Sequence, residues 1–340
     1  MSEERIKADT VFFRPGERNL FFHILTECNL SCAHCYIDSG QHGTGRVPLD
    51  TLCEWLALFF HAGKKNNLVF LGGEPTLHKD LAEGIKKAHE IGYASVTVDT
   101  NGFLFHRLLD RIVPGDAVLN FSLDGPDPET NDPLRGKGVF RTCTENIEKA
   151  IRRGFAAGVI YTVSRRNIGF LDRMPELLNR LGVKRFFIQV IGIRGRSAHT
   201  RDPLQLTRDE WLSVVPETAG QAARLGIEVI YPKVYLNAEE PFSCAGNAAE
   251  NFFVFPNGRV YRCPLCEDLP VHSFVIEEKG LLARSGLVEE KFFGLNIPEG
   301  CVMNKLLQPE NIAYDASGMP LYRISCCLLK ERMAPLIRLP

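Results

Sequence analysis

Short apolar runs alternate with longer amphipathic stretches along the first two thirds of the chain. Residues 20–25 and 67–71 are mostly apolar and end in polar or glycine-rich turns, as buried strands do. The stretch 48–63 between them repeats apolar side chains at the spacing of one helix face. These apolar positions are Leu52, Trp55, Leu56, Phe59 and Phe60. The pattern therefore predicts a strand, a helix and a second strand.

The same alternation continues to about residue 232 and predicts six strands separated by helices. The predicted strands cover residues 20–25, 67–71, 94–99, 117–123, 155–163 and 185–190. The predicted helices cover residues 48–63, 81–91, 103–112, 139–153 and 169–181. A capping box of Thr207 and Glu210 predicts another helix to residue 225, and a strand at 227–231 closes the region. Because strands that alternate with helices pair in parallel through right-handed crossovers, we expect an α/β fold, a partial (β/α)6 TIM-like barrel.

The loops that follow the predicted strands carry most of the polar and glycine residues of interest. In a parallel barrel these loops lie at one face and form the active site. They are residues 28–36, 72–75, 100–102, 122–125, 164–167 and 189–192. We therefore expect their side chains to meet at that face. Residues 194–204, which are rich in arginine and histidine, are expected to form an exposed surface loop.

The composition is that of a folded protein without a strong charge bias. The chain has 340 residues, of which 45% are hydrophobic, enough for one large domain and a smaller appendage. Because 40 Lys and Arg balance 41 Asp and Glu, charge gives no reason to expect nucleic acid or an anionic membrane as a partner. The N-terminus lacks the apolar run of a signal peptide, and no stretch reaches the length of a membrane span. We expect a cytoplasmic protein.

The chain has 11 cysteines, concentrated near its two ends. In a reducing cytoplasm, metal binding explains them better than disulfides do. Cys53 and Cys143 are isolated and lie on or beside apolar helix faces, as ordinary buried cysteines do. The other nine are Cys28, Cys32 and Cys35, and then Cys244, Cys263, Cys266, Cys301, Cys326 and Cys327. Two groups separated by a cysteine-poor middle predict two metal sites in two structural units.

The first cysteine group has the spacing C-x3-C-x2-C and directly follows the first predicted strand. Three thiolates on one loop can hold three irons of a cubane cluster and leave the fourth iron open, whereas a ferredoxin-type cluster uses four. The alternatives are a zinc knuckle or a redox-active thiol group. With the aromatic Tyr36 after the third cysteine, this loop resembles that of the radical S-adenosylmethionine (SAM) superfamily. The resemblance implies a [4Fe-4S] cluster that binds SAM through its open iron, and it adds Tyr36 to the cofactor-binding residues.

The segment Gly72-Gly73-Glu74-Pro75 follows the second predicted strand. Glycines let the backbone approach a ligand closely, and a glutamate accepts hydrogen bonds from an ammonium group. A tight strand-to-helix turn with Pro75 near the helix start is the alternative. Radical SAM enzymes have such a segment at this place, where it binds the methionine amino group of SAM. The resemblance therefore implies this role for Gly72, Gly73 and Glu74.

The run from Ser122 to Pro126, followed by Arg135 and Gly136, resembles a segment of radical SAM enzymes that modify peptides and sulfatases. The resemblance implies that Ser122 and Arg135 contact the ribose and carboxylate of SAM, and an arginine fork suits a carboxylate. The alternatives are a satisfied strand-end hydroxyl and a solvated loop charge. At the end of the sixth strand, Gln189 and Ile191 are candidates for flanking the adenine, and a buried strand end is their alternative.

The C-terminal cysteines surround a predicted hairpin, residues 252–255 and 259–261 around a Pro-Asn-Gly turn. The spacing from Cys244 through Gly258 to Cys263 resembles the opening of the SPASM or twitch extensions of radical SAM peptide maturases. That resemblance implies an auxiliary iron–sulfur cluster, with further ligands among Cys266, Cys301, Cys326 and Cys327. Six cysteines do not supply two complete four-cysteine clusters, so one complete auxiliary cluster is expected, and a second, incompletely ligated one is the alternative. A zinc ribbon is the alternative for Cys263 and Cys266.

Together these signals divide the chain into an N-terminal segment (1–19), a radical SAM barrel (20–232) and a SPASM/twitch-like domain with a β-hairpin (233–340). The resemblance implies reductive cleavage of SAM to a 5′-deoxyadenosyl radical, with a low-potential flavodoxin or ferredoxin as electron donor. We expect a peptide or protein side chain as the substrate. A small metabolite or tetrapyrrole is the alternative, because no leader-peptide-binding domain is expected ahead of residue 20 and Pro264 stands where sulfatase-maturing relatives carry an aspartate base. A non-catalytic iron–sulfur or zinc protein is the alternative from another class.

The two kinds of cysteine make a direct test. Cys28→Ala is expected to abolish formation of 5′-deoxyadenosine from SAM, because the cluster would lose one of its three protein ligands. Cys143→Ala is expected to leave it intact, because a buried structural thiol takes no part in the chemistry. Both are measured after anaerobic iron–sulfur reconstitution and reduction with dithionite, and equal loss in the two variants would contradict the assignment.

Overall fold

The computed structural model describes residues 8–105, 107–200, 204–237, 240–278 and 280–336. Its strands are β1 (Asp9–Val11), β2 (Glu17–His23), β3 (Lys65–Leu71), β4 (Ser95–Thr100), β5 (Val118–Ser122), β6 (Ala157–Val163), β7 (Arg185–Val190), β8 (Glu228–Pro232), β9 (Tyr235–Leu236), β10 (Glu250–Val254), β11 (Arg259–Tyr261), β12 (Phe274–Glu277), β13 (Gly280–Ala283), β14 (Arg323–Ile324) and β15 (Lys330–Met333). Its helices are α1 (Ser39–His42), α2 (Leu49–Phe59), α3 (Leu81–Ile91), α4 (Leu108–Arg111), α5 (Pro128–Arg135), α6 (Val139–Arg152), α7 (Met174–Leu181), α8 (Arg208–Arg224), α9 (Ala245–Ala248), α10 (Glu290–Phe293) and α11 (Val302–Leu307). Short 3-10 helices cover Pro75–Leu77, Ile168–Arg173, Gly195–His199, Pro264–Cys266 and Pro309–Asn311.

One mixed sheet contains most of these strands, and its centre is parallel. The order is β1-β15-β8-β7-β6-β5-β4-β3-β2-β10-β11-β12-β13, while β9 and β14 form a separate pair. From β2 to β8 each strand pairs in parallel with the next strand of this central series. The predicted α/β fold, a partial TIM-like barrel, is confirmed. Because these strands are parallel, all their carboxyl ends lie at one face of the sheet.

The side chains of the central strands alternate between a helix-covered core and an inner cavity. Phe70 on β3 and Phe121 on β5 are fully buried, and Phe70 approaches Gly84 of α3. The neighbouring residues Leu71 and Ser122 line the cavity instead. The predicted apolar stripe of α2 is also buried, through Leu52, Trp55, Leu56 and Phe59.

Three helical segments differ from the prediction. The helix expected over residues 103–112 is reduced to α4, because the turn after β4 continues through a hydrogen bond from Phe103 N to Asn101 Oδ1 at 2.9 Å. Position 106 lies outside the described residues. The helix expected over residues 169–181 begins with a 3-10 segment before α7. An unpredicted helix, α5, starts at the Asp127 cap and ends at Arg135, so this arginine belongs to a helix end.

The expectation of an exposed surface loop over residues 194–204 is only partly confirmed in the described part, where Arg196, Ala198 and His199 are exposed. Residues Gly195–His199 form a 3-10 helix, and Gly195, Ser197 and Leu204 are buried. Positions 201–203 lie outside the described residues. One side of the segment is buried because Arg196 N donates to Cys35 O at 2.8 Å, which packs the backbone against the cysteine loop. Local polarity concealed this long-range contact.

The C-terminal part extends the central sheet at both of its edges. The predicted hairpin is present as β10 and β11, and β10 pairs in parallel with β2. At the other edge β15 pairs with β8, and β1 pairs with β15. Because one sheet contains strands from all three predicted segments, the division of the chain after residues 19 and 232 stays a prediction. Within the described residues, no helix is both long and apolar enough to span a bilayer.

Gly73, just after β3, packs against the end of β2 and offers a stability test. A Cβ atom at this position would lie 2.2 Å from the carbonyl oxygen of Glu27, a backbone atom that has little freedom to move. Gly73→Ala is therefore expected to destabilise the fold by about 1–3 kcal/mol, the usual cost of overpacking. Thermal unfolding measures the effect. Gly16→Ala is the control, because its Cβ would meet nothing within 4 Å; equal unfolding midpoints for the two variants would contradict the packing argument.

Candidate active site

The cysteine loop opens onto a cavity at the carboxyl ends of the parallel strands. Cys28, Cys32 and Cys35 all line this cavity, which measures about 320 Å³. Burial, together with a smaller contribution from the nearby Glu74 carboxylate, raises the pKa of the Cys28 thiol to about 11. Burial also raises the pKa of Cys32. Because metals bind thiolates, iron at this loop would have to displace these protons.

Glu74 joins the loops that follow β3 and β4. Its Oε1 accepts hydrogen bonds from Thr76 N at 3.0 Å, Thr76 Oγ1 at 2.6 Å and Thr100 Oγ1 at 2.7 Å. Its Oε2 accepts one from Asn101 N at 2.7 Å. Burial raises the pKa of Glu74, and these donors oppose the shift. Gly72, Gly73 and Glu74 all line the cavity, and Oε2 retains the capacity to accept a second hydrogen bond from a ligand.

A buried network around Asp124 holds Arg135 and the cysteine loop together. The Asp124 carboxylate is fully buried, and its Oδ2 lies 2.6 Å from Arg135 Nε and 3.2 Å from His34 Nε2. Its Oδ1 accepts a hydrogen bond from Thr162 N at 2.7 Å. Burial lowers the pKa of His34, although the Asp124 carboxylate opposes this shift. Arg135 lines the cavity as predicted, with its charge already balanced by Asp124.

The remaining predicted SAM-binding residues reach the same cavity. Ser122, Gln189, Ile191 and Tyr36 all line it. The Tyr36 hydroxyl lies 2.8 Å from His23 Nε2, and His23 Nδ1 lies 3.3 Å from Val254 O. Because that carbonyl requires a donor, the proton of His23 is assigned to Nδ1, and Tyr36 then donates to Nε2. The structure brings the predicted residues together, while their individual roles stay predictions.

Asp99 is a charged residue of this cavity that the sequence analysis left unassigned. It lies on β4, and among the described residues it accepts one side-chain hydrogen bond, from Asn120 Nδ2 to Oδ1 at 2.9 Å. No described cation pairs with it. Burial raises the pKa of Asp99 to about 7, and the Glu74 carboxylate adds to the shift. Asp99 therefore brings to the cavity a carboxyl group that titrates near neutrality.

The six C-terminal cysteines form a second group, in which the thiols interact with one another. Cys244 and Cys326 interact through a hydrogen bond, as do Cys326 and Cys327, and Cys263 and Cys266. Cys301 interacts electrostatically with Cys263 and Cys326. Burial raises the pKa of Cys301 to about 12. These six thiols fit one cluster that takes four thiolates, and two thiols are then left over.

Two charged residues flank this thiol group. Glu289 is fully buried and accepts hydrogen bonds from Arg262 N at 2.7 Å and Cys263 N at 3.0 Å. Lys330 Nζ donates to Cys327 O at 3.3 Å and lies 4.6 Å from the centre of the Phe187 ring. Because Phe187 also lines the barrel cavity, a single side chain separates this lysine from the cavity.

Neither cysteine group is arranged around a point. In the described part of the chain, no three His, Cys, Asp or Glu side chains converge closely enough to hold a single metal ion. A cubane cluster binds each thiolate through a different iron, so its ligands are spread around a larger body. The three-thiol loop and the six-thiol group are chemically suited to iron–sulfur clusters of that kind.

Several residues of these sites were missed by the sequence analysis, although some carried a signal. His34 lies inside the cysteine motif, and Asp124 lies inside the Ser122–Pro126 run, so both could have been named. Arg194 and Glu267 had no local signal, since they form a buried ion pair, with Nη1 2.6 Å from Oε2, across 73 positions of sequence. Cys143 is buried as predicted, and burial raises the pKa of its thiol to about 12.

The raised pKa of Asp99 predicts a pH-dependent effect on stability. The pKa of Asp99 is about 7 in the folded protein and 3.8 in the unfolded chain. Its contribution to the free energy of unfolding is therefore fully present below pH 3.8 and is lost as the pH rises through 7. Asp99→Asn removes this loss, so the variant is expected to be more stable than the wild type at pH 8, by about 4 kcal/mol for a pKa raised from 3.8 to about 7. The gain is expected to shrink at pH 5. Thermal unfolding at the two pH values measures it, and an equal gain at both would contradict the shifted pKa.

Comparison with known proteins agrees with this geometry. Residues 23–171 match the Radical SAM superfamily, and this range includes the cysteine loop, Glu74, Ser122 and Arg135. The mycofactocin maturase MftC of Mycobacterium ulcerans is 27% identical over 263 residues, which cover 72% of this chain and 68% of that protein. A probable GTP 3′,8-cyclase of Saccharolobus islandicus is 28% identical over 275 residues, which cover 76% of this chain and 85% of that protein.

The fold is shared with a solved structure. Streptococcus suis SuiB bound to precursor peptide SuiA aligns with a TM-score of 0.60 at 16% identity, over 78% of this chain and 62% of that chain. About a third of MftC and more than a third of SuiB therefore lie outside the matched regions. The matched family, the shared fold and the convergence of the motif residues on one cavity agree. Residues 23–171 therefore form a domain of the Radical SAM superfamily.

Proposed function

We propose that this enzyme cleaves SAM reductively and uses the resulting 5′-deoxyadenosyl radical to abstract hydrogen from a peptide or protein side chain. The observation that carries the proposal is the convergence of loops after five strands on one cavity. They bring Cys28, Cys32 and Cys35 to the same space as Gly72–Glu74, Asn101, Ser122, Arg135, Gln189 and Ile191. A cysteine loop that only held a structural metal would not require residues of the other four loops at the same cavity.

When bound, a [4Fe-4S] cluster on the three cysteines supplies the electron that cleaves SAM. The residues of the chain bind and orient the cosubstrate. The backbone of Gly72 and Gly73 and the free capacity of Glu74 suit an ammonium group, and Ser122 suits a ribose hydroxyl. Arg135, fixed by Asp124, keeps its guanidinium at the cavity for a carboxylate. Such fixed donors and acceptors lower the entropic cost of orienting the reactants.

We further propose that the C-terminal thiol group holds an auxiliary [4Fe-4S] cluster in a SPASM/twitch-like extension. The six thiols lie near each other, and β10 and β15 place their segments against the barrel edges. The cluster would bind substrate or accept an electron from the substrate radical. A low-potential flavodoxin or ferredoxin would reduce the SAM-binding cluster.

A peptide substrate is favoured by the likeness to MftC, a maturase. The second candidate is a small molecule, and the specific observation in its favour is the match to a probable GTP 3′,8-cyclase over 85% of that protein. Mass spectrometry of short peptides encoded beside the gene, after incubation with enzyme, SAM and dithionite, separates the two. If none of these peptides changes the rate of SAM cleavage or is itself modified, a small-molecule substrate is favoured.

The radical chemistry is tested by anaerobic reconstitution, iron counting and an assay for 5′-deoxyadenosine with dithionite. We expect about eight irons per chain, four in each of two clusters, together with 5′-deoxyadenosine. A count near four, with 5′-deoxyadenosine formed, would remove the auxiliary cluster but keep the SAM chemistry. Zinc in place of iron, or no 5′-deoxyadenosine, would overturn the proposal in favour of a non-catalytic metal protein.

A further inference from the structure

The side chain of Arg194 lies between the cysteine loop and the C-terminal extension. It follows β7, lines the cavity and is 13% exposed. Its guanidinium carbon is 4.9 Å from the centre of the Tyr36 ring. Its Nη1 lies 2.6 Å from Glu267 Oε2 and also donates to the carbonyl oxygen of Pro264. One side chain thus contacts both parts of the protein.

These contacts fall next to cysteines at both sites. Tyr36 directly follows Cys35, the last cysteine of the first loop, and Pro264 directly follows Cys263 in the C-terminal group. Because Arg194 contacts both Tyr36 and Pro264, a displacement of its guanidinium would change the packing of both cysteine loops.

The backbone beside Arg194 reinforces the same connection. Gly195 N donates to Asp268 Oδ2 at 3.0 Å, on the side of the extension. Arg196 N donates to Cys35 O at 2.8 Å, and Arg196 Nη1 donates to Cys32 O at 2.8 Å. A Cβ atom at Gly195 would lie 2.6 Å from Tyr36 O, so the segment is wedged tightly against the cysteine loop.

The chemistry of the bridge requires an arginine. A planar guanidinium can stack on the Tyr36 ring while its Nη1 donates to both a carboxylate and a carbonyl oxygen. A lysine could pair with Glu267 but would lose the plane that stacks on Tyr36. Glu267 is itself 1% exposed, so loss of the cation would leave a buried, unpaired carboxylate beside the extension loop.

We propose that Arg194 is a positioning residue that fixes the first cysteine loop relative to the Cys263–Cys266 loop. The surroundings of both clusters then depend on one guanidinium. This inference rests on the proposed function, because it requires clusters at both sites. It assigns Arg194 no contact with a reacting atom.

The test compares Arg194→Gln and Arg194→Lys with Arg208→Gln. Arg208 also places a guanidinium over a tyrosine ring, that of Tyr322 at 5.4 Å, and it does not line the cavity. Each reconstituted protein is reduced with dithionite, and its EPR spectrum is recorded with and without SAM. A signal that responds to SAM reports the first cluster, and the other signal reports the auxiliary cluster.

We expect Arg194→Gln to shift or broaden both signals, Arg194→Lys to do so to a smaller extent, and Arg208→Gln to match the wild type. Unchanged signals, a change at one cluster only, or an equal change in Arg208→Gln would overturn the inference. If Arg194→Gln does not fold, the lysine variant decides, and wild-type spectra in it would overturn the inference.

Failure of the proposed function gives a different result. A wild-type protein with about four irons per chain would lack the second cluster, whatever its Arg194 variants did. A wild-type protein with about eight irons, whose two signals ignore Arg194→Gln, would refute the positioning role alone. The iron count of the wild type therefore separates the two failures.

Discussion

The carboxylate of Asp124 is fully buried at the end of β5, and three other segments depend on it. It meets Arg135 from α5, His34 from the cysteine loop and the backbone of Thr162 on β6. A buried guanidinium that lost this partner would be left uncompensated, at a cost of several kcal/mol. Asp124 thereby fixes the position of the Arg135 side chain in the cavity, and its contact with His34 helps to hold the cysteine loop over the strand ends.

Glu74 has the corresponding role on the neighbouring strands. Two of its four hydrogen bonds, from Thr100 and Asn101, tie the loop after β3 to the end of β4, and Glu74 N donates to Glu27 O at 2.9 Å on the cysteine loop. Two buried carboxylates therefore organise one mouth of the barrel. Both are satisfied mainly by the protein, so the site is largely preorganised before any ligand arrives.

The fold was predictable because its signals are local and repeated. Helix α2 shows the apolar stripe that its sequence predicts, and the strands end in the polar loops from which the motifs were read. Boundaries failed where a local signal was overlooked, as at the Asp127 cap of α5, or where a side chain prolonged a turn, as at Asn101. The segment after Arg194 was expected to be exposed because its arginines and histidine are polar, and the burial of Gly195 and Ser197 within it depends on partners far away in the sequence.

The sequence by itself determined the cysteine spacing, the order of strand-end motifs and the concentration of thiols near the two ends. These are properties of neighbouring residues, and a parallel barrel gathers the strand ends whatever their partners. Only the tertiary structure decided that Asp124 pairs with Arg135 and His34, that Asp99 opens onto the cavity, and that Arg194 bridges two cysteine loops. Such contacts join residues that are distant in sequence, and no periodicity records which charges meet once the chain is folded.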